Sequence, residues 1–177
     1  MVGIMQPNMN ATRTRIDGAA SFEENKPVCQ ILILHEDFPA YSRAVEVCRR
    51  LMERFASELE FNIKCWNCIE LADPNCARHA AKTAGASDII LLSLQTPQTP
   101  KAFDQWFESF FIARFRTEGV LALLLNDPNL PPAVQKLAAR LERITQRLGM
   151  DFLSLPLGDD RLVLGGCPAV PPLQAMR

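Results

Sequence analysis

The chain has 177 residues, of which 48% are hydrophobic and 22% charged, a size and balance that suit one ordinary domain without disulfide staples. Its 19 basic and 20 acidic residues leave a formal net charge of -1, so no global field draws it to nucleic acid or to an anionic membrane. No run approaches the ~18 consecutive apolar residues of a membrane span, and the first twenty residues lack the apolar core of a signal peptide, interrupted as they are by Asn8, Asn10, Arg13, Arg15 and Asp17. A cytoplasmic location is therefore expected, with the six cysteines held as reduced thiols.

Residues 1–26 are polar and aperiodic and read as a flexible leader; residues 158–177 carry Gly158, Gly165, Gly166, Pro168, Pro171 and Pro172 and read as a tail. Between them, residues 27–157 alternate regularly. Residues 28–34 form a continuous apolar run, the mark of a strand covered on both faces. A helix is expected over 41–59, with Val45, Cys48, Met52, Phe55 and Leu59 on one face and Arg43, Glu46, Arg50, Glu53 and Arg54 mostly off it. A second strand over 61–69 alternates in part, which places it near a sheet edge.

Asp73-Pro74 supplies an N-cap and a first-turn proline, and opens an alanine-rich helix to about residue 85. Residues 89–94 are the third strand. Thr99-Pro100 repeats the cap-and-proline signal ahead of an aromatic helix that reaches about residue 116. A fourth strand over 120–125 precedes a helix over 131–148, closed by Gly149 where a left-handed residue is favoured. Residues 152–157 are the fifth strand. Strands alternating with helices imply right-handed crossovers and a parallel sheet. The expected fold is a three-layer, flavodoxin-like α/β domain: a five-stranded parallel sheet of order 2-1-3-4-5 with helices on both faces.

In such a sheet the functional crevice lies at the carboxyl ends of strands 1, 3 and 4. The residues expected to line it are His35, Glu36 and Asp37 after strand 1, Ser93, Gln95 and Thr96 at the end of strand 3, and Asn126 and Asp127 after strand 4. The loop at 35–39 has no glycine for backbone approach to a pyrophosphate, and its acids would repel one, which disfavours dinucleotide and phosphate-loop chemistry. No G-x-S-x-G elbow surrounds Ser93.

The frame over residues 28–157 resembles the receiver domain of bacterial response regulators. Ile31-Leu32-Ile33-Leu34-His35-Glu36 is similar to the receiver's first strand, with His35 and Glu36 at its paired-acid positions, and Asp88 and Pro97 flank the third strand as they do there. The resemblance implies an acceptor aspartate at position 93 and a lysine on strand 5. This chain has Ser93, and strand 5 (Phe152-Leu153-Ser154-Leu155-Pro156) has no lysine, so aspartyl phosphorylation is not expected and a magnesium pocket lacks one oxygen anion. Ser87-Asp88-Ile89-Ile90-Leu91-Leu92-Ser93, followed by a helix bearing Trp106-Phe107-Glu108, also resembles the Toll/interleukin-receptor and SEFIR class. Some members of that class hydrolyse NAD with a glutamate in this helix, which implies Glu108, with Ser93 and His35, as an alternative catalytic set. A third resemblance rests on Trp66, Leu71-Ala72-Asp73-Pro74 and Gly149-Met150-Asp151-Phe152. It is to an uncharacterised set of bacterial receiver-like α/β proteins and implies a fold rather than a reaction.

Cys65, Cys68, Cys76 and His79 have a C-x2-C-x7-C-x2-H spacing that would suit tetrahedral zinc, but strand alternation sends Cys65 and Cys68 to opposite faces unless the strand ends between them. Scattered structural cysteines are the simpler reading, and no cofactor is expected. On the aromatic helix, Phe103, Trp106, Phe107, Phe110, Phe111 and Phe115 spread more widely than the ~100° stripe of one buried face. Trp106, Phe107, Phe110, Phe111 and Phe115 are therefore candidates for a protein-partner or homodimer surface. The next helix turns Val134, Leu137, Leu141, Ile144 and Leu148 inward and leaves Lys136, Arg140, Arg143 and Arg147 as a basic ridge. Together these features predict a non-catalytic receiver-like interaction or regulatory domain with a protein partner or a second copy, and the alternative is a small-molecule hydrolase acting on NAD or a nucleoside through Glu108 near Ser93.

Overall fold

The computed structural model describes residues 26–95, 101–116, 118–125 and 132–156. The elements run β1 (Val28–His35), α1 (Phe38–Phe55), β2 (Glu60–Asn67), a short 3-10 helix (Cys68–Ala72), α2 (Pro74–Ala86), β3 (Ile89–Leu94), α3 (Lys101–Ala113), β4 (Val120–Leu125), α4 (Pro132–Arg147) and β5 (Asp151–Pro156). The strands form one all-parallel sheet of order β2-β1-β3-β4-β5, the expected doubly wound arrangement. Its register sets Ile33 beside Leu91, and Leu91 beside Ala122, at the centre of the sheet.

The central strands are largely buried, which is why β4 reads as an unbroken apolar run and β1 and β3 as apolar runs interrupted only by Gln30 and by Ser93 ahead of their ends. One face carries Leu32, Leu34, Ile90, Leu92, Leu121 and Leu123 against the aromatic side chains of α3 and the inner faces of α2 and α4. On the other face Ile31, Ile33, Leu91, Ala122 and Leu124 meet Ala44 and Cys48 of α1. Edge strand β2 alternates exposed and half-buried residues, as its pattern indicates.

The main boundary differences from the sequence reading have local reasons, and α1 also stops at Phe55 rather than at Leu59, where the Glu58 and Leu59 amides both donate to Phe55 O at 2.9 Å. First, α1 begins at Phe38 rather than Tyr41. Asp37 is its N-cap, with its carboxylate accepting from the Ala40 amide at 2.8 Å, and Pro39 sits in the first turn. Its buried stripe is accordingly Ala40, Ala44 and Cys48 with Val47 and Leu51 beside it, while Val45 faces outward. Second, β2 stops at Asn67. Asn67 and Glu70 form a reciprocal capping box that starts the 3-10 turn, so Cys68 and Ile69 leave the strand. Third, α3 ends at Ala113, three residues short of the expected 116, where Arg114 turns its guanidinium back to the carbonyls of Ala84 and Ser87.

Two glycines have structural consequences. Gly149 adopts φ 67° and closes α4, with the Met150 amide donating to Thr145 O at 2.9 Å. Gly85 marks the crossing of α2 and α3, since a Cβ there would lie 2.5 Å from the Ala113 carbonyl oxygen. On α4, Val134, Leu137 and Leu141 are buried, and Lys136, Arg140, Arg143 and Arg147 face solvent as the expected ridge.

Candidate functional site

The crevice at the carboxyl edge of the sheet is built by the ends of β1 and β3 and the start of α1. His35 pairs in register with Ser93, and the Glu36 amide donates to Ser93 O at 3.2 Å, so the two strand exits lie side by side. Strand alternation then separates the side chains. His35 and Ser93 follow Ile33 and Leu91 onto the α1 face, and Glu36 follows Leu34 onto the opposite one.

The side chains of Glu36, Asp37 and His35 are each engaged by the fold, and among the described residues that of Ser93 is not. The Glu36 carboxylate accepts from the Gln95 backbone amide at 2.8 Å, bridging 59 positions of sequence and pinning the chain as it leaves β3. The Asp37 carboxylate caps α1. Because a carbonyl can only accept, the contact between His35 Nδ1 and Asp37 O, 3.2 Å, sets the proton on Nδ1, and the imidazole lies 5.1 Å from the Tyr41 ring. Ser93 is 0% exposed, and its Oγ has no hydrogen-bond partner among the described residues. Thr96, Asn126 and Asp127 lie outside the described residues, as does the Thr99-Pro100 cap signal.

Arg43 was not among the residues singled out for the crevice. It reaches from α1 to donate to Leu94 O at 3.1 Å, while its Nε is buried without a partner among the described residues. Burial pushes its pKa down, opposed by the nearby charges of Asp37 and Glu36. Its sequence signal was a cation placed off the apolar stripe, which ordinarily means solvent. Here the stem crosses the strand end instead.

The alternative catalytic set does not converge. Glu108 is exposed on α3, which packs on the Leu92 face of the sheet, whereas Ser93 and His35 lie on the α1 face. The cysteine set is dispersed as well. Cys65 is exposed at the β2 edge, Cys68 is buried, Cys76 is half-buried, and the His79 ring packs edge-on against Trp66 at 5.3 Å. Among the described residues no three His, Cys, Asp or Glu side chains are grouped to hold a metal ion. Burial pushes the Cys68 thiol up to about 12, with the Glu36 charge adding to it, and the Cys48 thiol up to about 11.

The aromatic helix divides into two parts. Trp106, Phe107 and Phe110 are core residues, with Trp106 and Phe110 stacked at 5.3 Å and 4° between ring planes, so these three do not form a surface. The wide aromatic arc is accounted for by α3 touching α2 and the 3-10 turn as well as packing on the sheet. What it leaves outside is its C-terminal end, with Phe111 half-buried, Ile112 88% exposed and, just beyond, Phe115 74% exposed. Phe115 also lines a shallow depression of about 560 Å³ with Asp88, Arg116, Glu118 and Gly119.

No helix among the described residues is long and apolar enough to cross a membrane. No family model matches the chain, and no curated protein matches it. Two solved structures of S. aureus homoserine dehydrogenase, at pH 6.0 and pH 7.0, are similar over 73% of this chain at 12% identity, with TM-scores of 0.44 and 0.43. The chain spans about a third of their length, 32% and 33%. A likeness at that level fixes neither fold nor activity.

Proposed function

We propose that this chain is a non-catalytic, receiver-like interaction or regulatory domain. One observation carries the reading. Of the two positions where a receiver's paired acids hold magnesium, one is His35 and the other, Glu36, is engaged by the Gln95 amide; the next acid, Asp37, caps the first turn of α1, and the acceptor position is a fully buried serine. The bond to the Gln95 amide orients the Glu36 carboxylate, His35 beside it supplies no oxygen anion, and a buried Oγ offers no path for in-line attack on a phosphoryl group. Ile112 near the end of α3 and Phe115 just beyond it are large exposed apolar side chains that a partner or a second copy would cover in a contact role.

The test is chemical. The purified chain is incubated with magnesium and acetyl phosphate, then with NAD, and followed by intact mass and nucleotide chromatography. The expected result is no phosphoryl addition and no loss of NAD. Stoichiometric labelling, or NAD cleavage that Glu108→Ala abolishes, would overturn the proposal.

A further inference from the structure

The two faces of the sheet are covered unequally. Among the described residues, α2, α3 and α4 pack on one face and α1 alone on the other. A five-stranded sheet is roughly 19 Å across at ~4.8 Å per strand, and a helix with its side chains covers only ~10 Å. Helix α1 packs on β1 and β3. Among the described residues no helix lies over β5 and the adjoining side of β4, and a groove of about 300 Å³ forms there, with Leu153 38% exposed and Ala122 and Leu91 buried at its inner side. Its floor is Ile89, Leu91, Val120, Ala122, Leu153 and Leu155. Its wall is α1, through Val47, Leu51 and Phe55, and the charged groups on its lining are Arg50 and Arg54.

We propose that this groove docks an amphipathic helix of a partner protein, one carrying acidic residues along the flank that faces α1. The inference rests on the reading of the domain as an interaction module and names the surface and the partner's chemistry. The geometry suits a helix: the middle of the β4–β5 strip lies two strand spacings, roughly 10 Å, from the line of α1, and packed helices sit 8–10 Å apart. From Val47 to Phe55 the wall runs for about 12 Å at 1.5 Å per residue, which two to three turns of a partner helix would span. The charge also suits. Arg50 already pairs with Glu46, but Arg54 has no carboxylate among the described residues and lies over the Phe55 ring at 5.5 Å, at the edge of the groove. An acidic flank would meet that cation over an apolar floor, where the pair is less screened than at an open surface.

Residues 158–177 are a poor candidate for the occupant. In residues 158–177 the longest stretch between Gly158 and Gly165 is 159–164, under two turns, and prolines follow at 168, 171 and 172. Before β1, the stretch between Pro7 and Gly18 carries Arg13 and Arg15 against one acid, Asp17, but Glu23 and Glu24 follow it, so residues 1–25 are a competing occupant that crosslinking distinguishes.

The experiment uses the full chain and two labelled, helix-capped synthetic peptides of ~18 residues, long enough for marginal helicity in water. Both carry the same leucine stripe; one has glutamates and the other lysines on the flank. Fluorescence anisotropy is expected to give micromolar binding of the glutamate peptide and at least tenfold weaker binding of the lysine peptide. The preference should reverse in an Arg50→Glu/Arg54→Glu variant, and Leu153→Glu should abolish binding. Both arginines are exposed, so the charge swap remains informative even if Leu153→Glu unfolds. Equal binding of the two peptides, no binding of either, or binding indifferent to the swap would overturn the proposal. So would a photo-crosslinker at position 153 that captures residues 1–25 or 157–177 of its own chain, or a dimer that Leu153→Glu converts to monomer, since either assigns the groove to another occupant. Failure here leaves the non-catalytic reading standing, whereas phosphoryl labelling or NAD loss removes that reading whatever the peptides do.

Discussion

Replacing Ser93 with alanine should stabilise the domain, a sign opposite to that of most core substitutions. Ser93 is fully buried between Leu92 and Leu94 of β3, and its Oγ has no partner among the described residues. Burying a hydroxyl without a hydrogen bond costs roughly 1–3 kcal/mol on the scale of protein mutational data. Removing the oxygen opens a gap smaller than a methylene, which on the burial scale is worth at most ~0.8 kcal/mol. The first effect wins, leaving a net gain of about 1 kcal/mol, or a rise in Tm of roughly 2–4 °C for a chain of this size. Urea denaturation monitored by circular dichroism, with calorimetry alongside, would read both quantities. A loss of more than ~1 kcal/mol would refute the reasoning, because it would mean that the hydroxyl is bonded in the native protein and that its loss strands a partner.

Further substitutions test other parts of the account. Gly85→Ala gains up to ~1 kcal/mol of helix propensity, but its Cβ would meet the Ala113 carbonyl at 2.5 Å; a backbone group cannot yield as a side chain does, so a net loss of ~1–3 kcal/mol is expected in urea melts. Trp106→Ala should cost ~3–5 kcal/mol as a core truncation, whereas Phe115→Glu should stay within ~0.5 kcal/mol of the parent and reduce any self-association seen by light scattering. The Cys48 and Cys68 thiols, held up to about 11 and about 12, should resist iodoacetamide in the native protein and react on unfolding. Because their folded pKa values are raised above the ordinary 9.0, the stability tied to the neutral thiols is whole below pH 9 and declines as pH climbs toward 11 and 12, which a pH series of urea midpoints would record.

The βα frame was legible because its signals are local: strongly apolar runs for β1, β3 and β4, Asp73-Pro74 for α2 and Gly149 for the end of α4. Asp37-Phe38-Pro39 carried the same kind of cap-and-proline signal as Asp73-Pro74, and reading it would have started α1 three residues earlier. The buried stripe of α1 was displaced because it rests on Ala40 and Ala44, whose small side chains leave little mark on a hydropathy pattern. On α3 the pattern located the aromatic residues but not their surroundings. A helix flanked by α2, the 3-10 turn and the sheet buries more than one stripe, and only the tertiary arrangement shows that Trp106, Phe107 and Phe110 are interior. The site was half legible. The strand-end positions named His35, Glu36 and Ser93, yet the bond from Glu36 to the Gln95 amide and the bond from Arg43 to Leu94 O join residues more than fifty positions apart, and no spacing rule reports such pairs.

Glu36 and Asp37, the acids that follow β1, serve the fold through the Gln95 amide and the first turn of α1. A magnesium titration followed by amide chemical shifts tests that role most directly, with the resonances of Glu36, Asp37 and Gln95 as reporters. The account predicts no saturable shift at millimolar magnesium and a Gln95 amide that stays protected from exchange. A saturable shift at these three residues, with loss of Gln95 protection, would show that Glu36 leaves its backbone partner for the ion and would contradict the account.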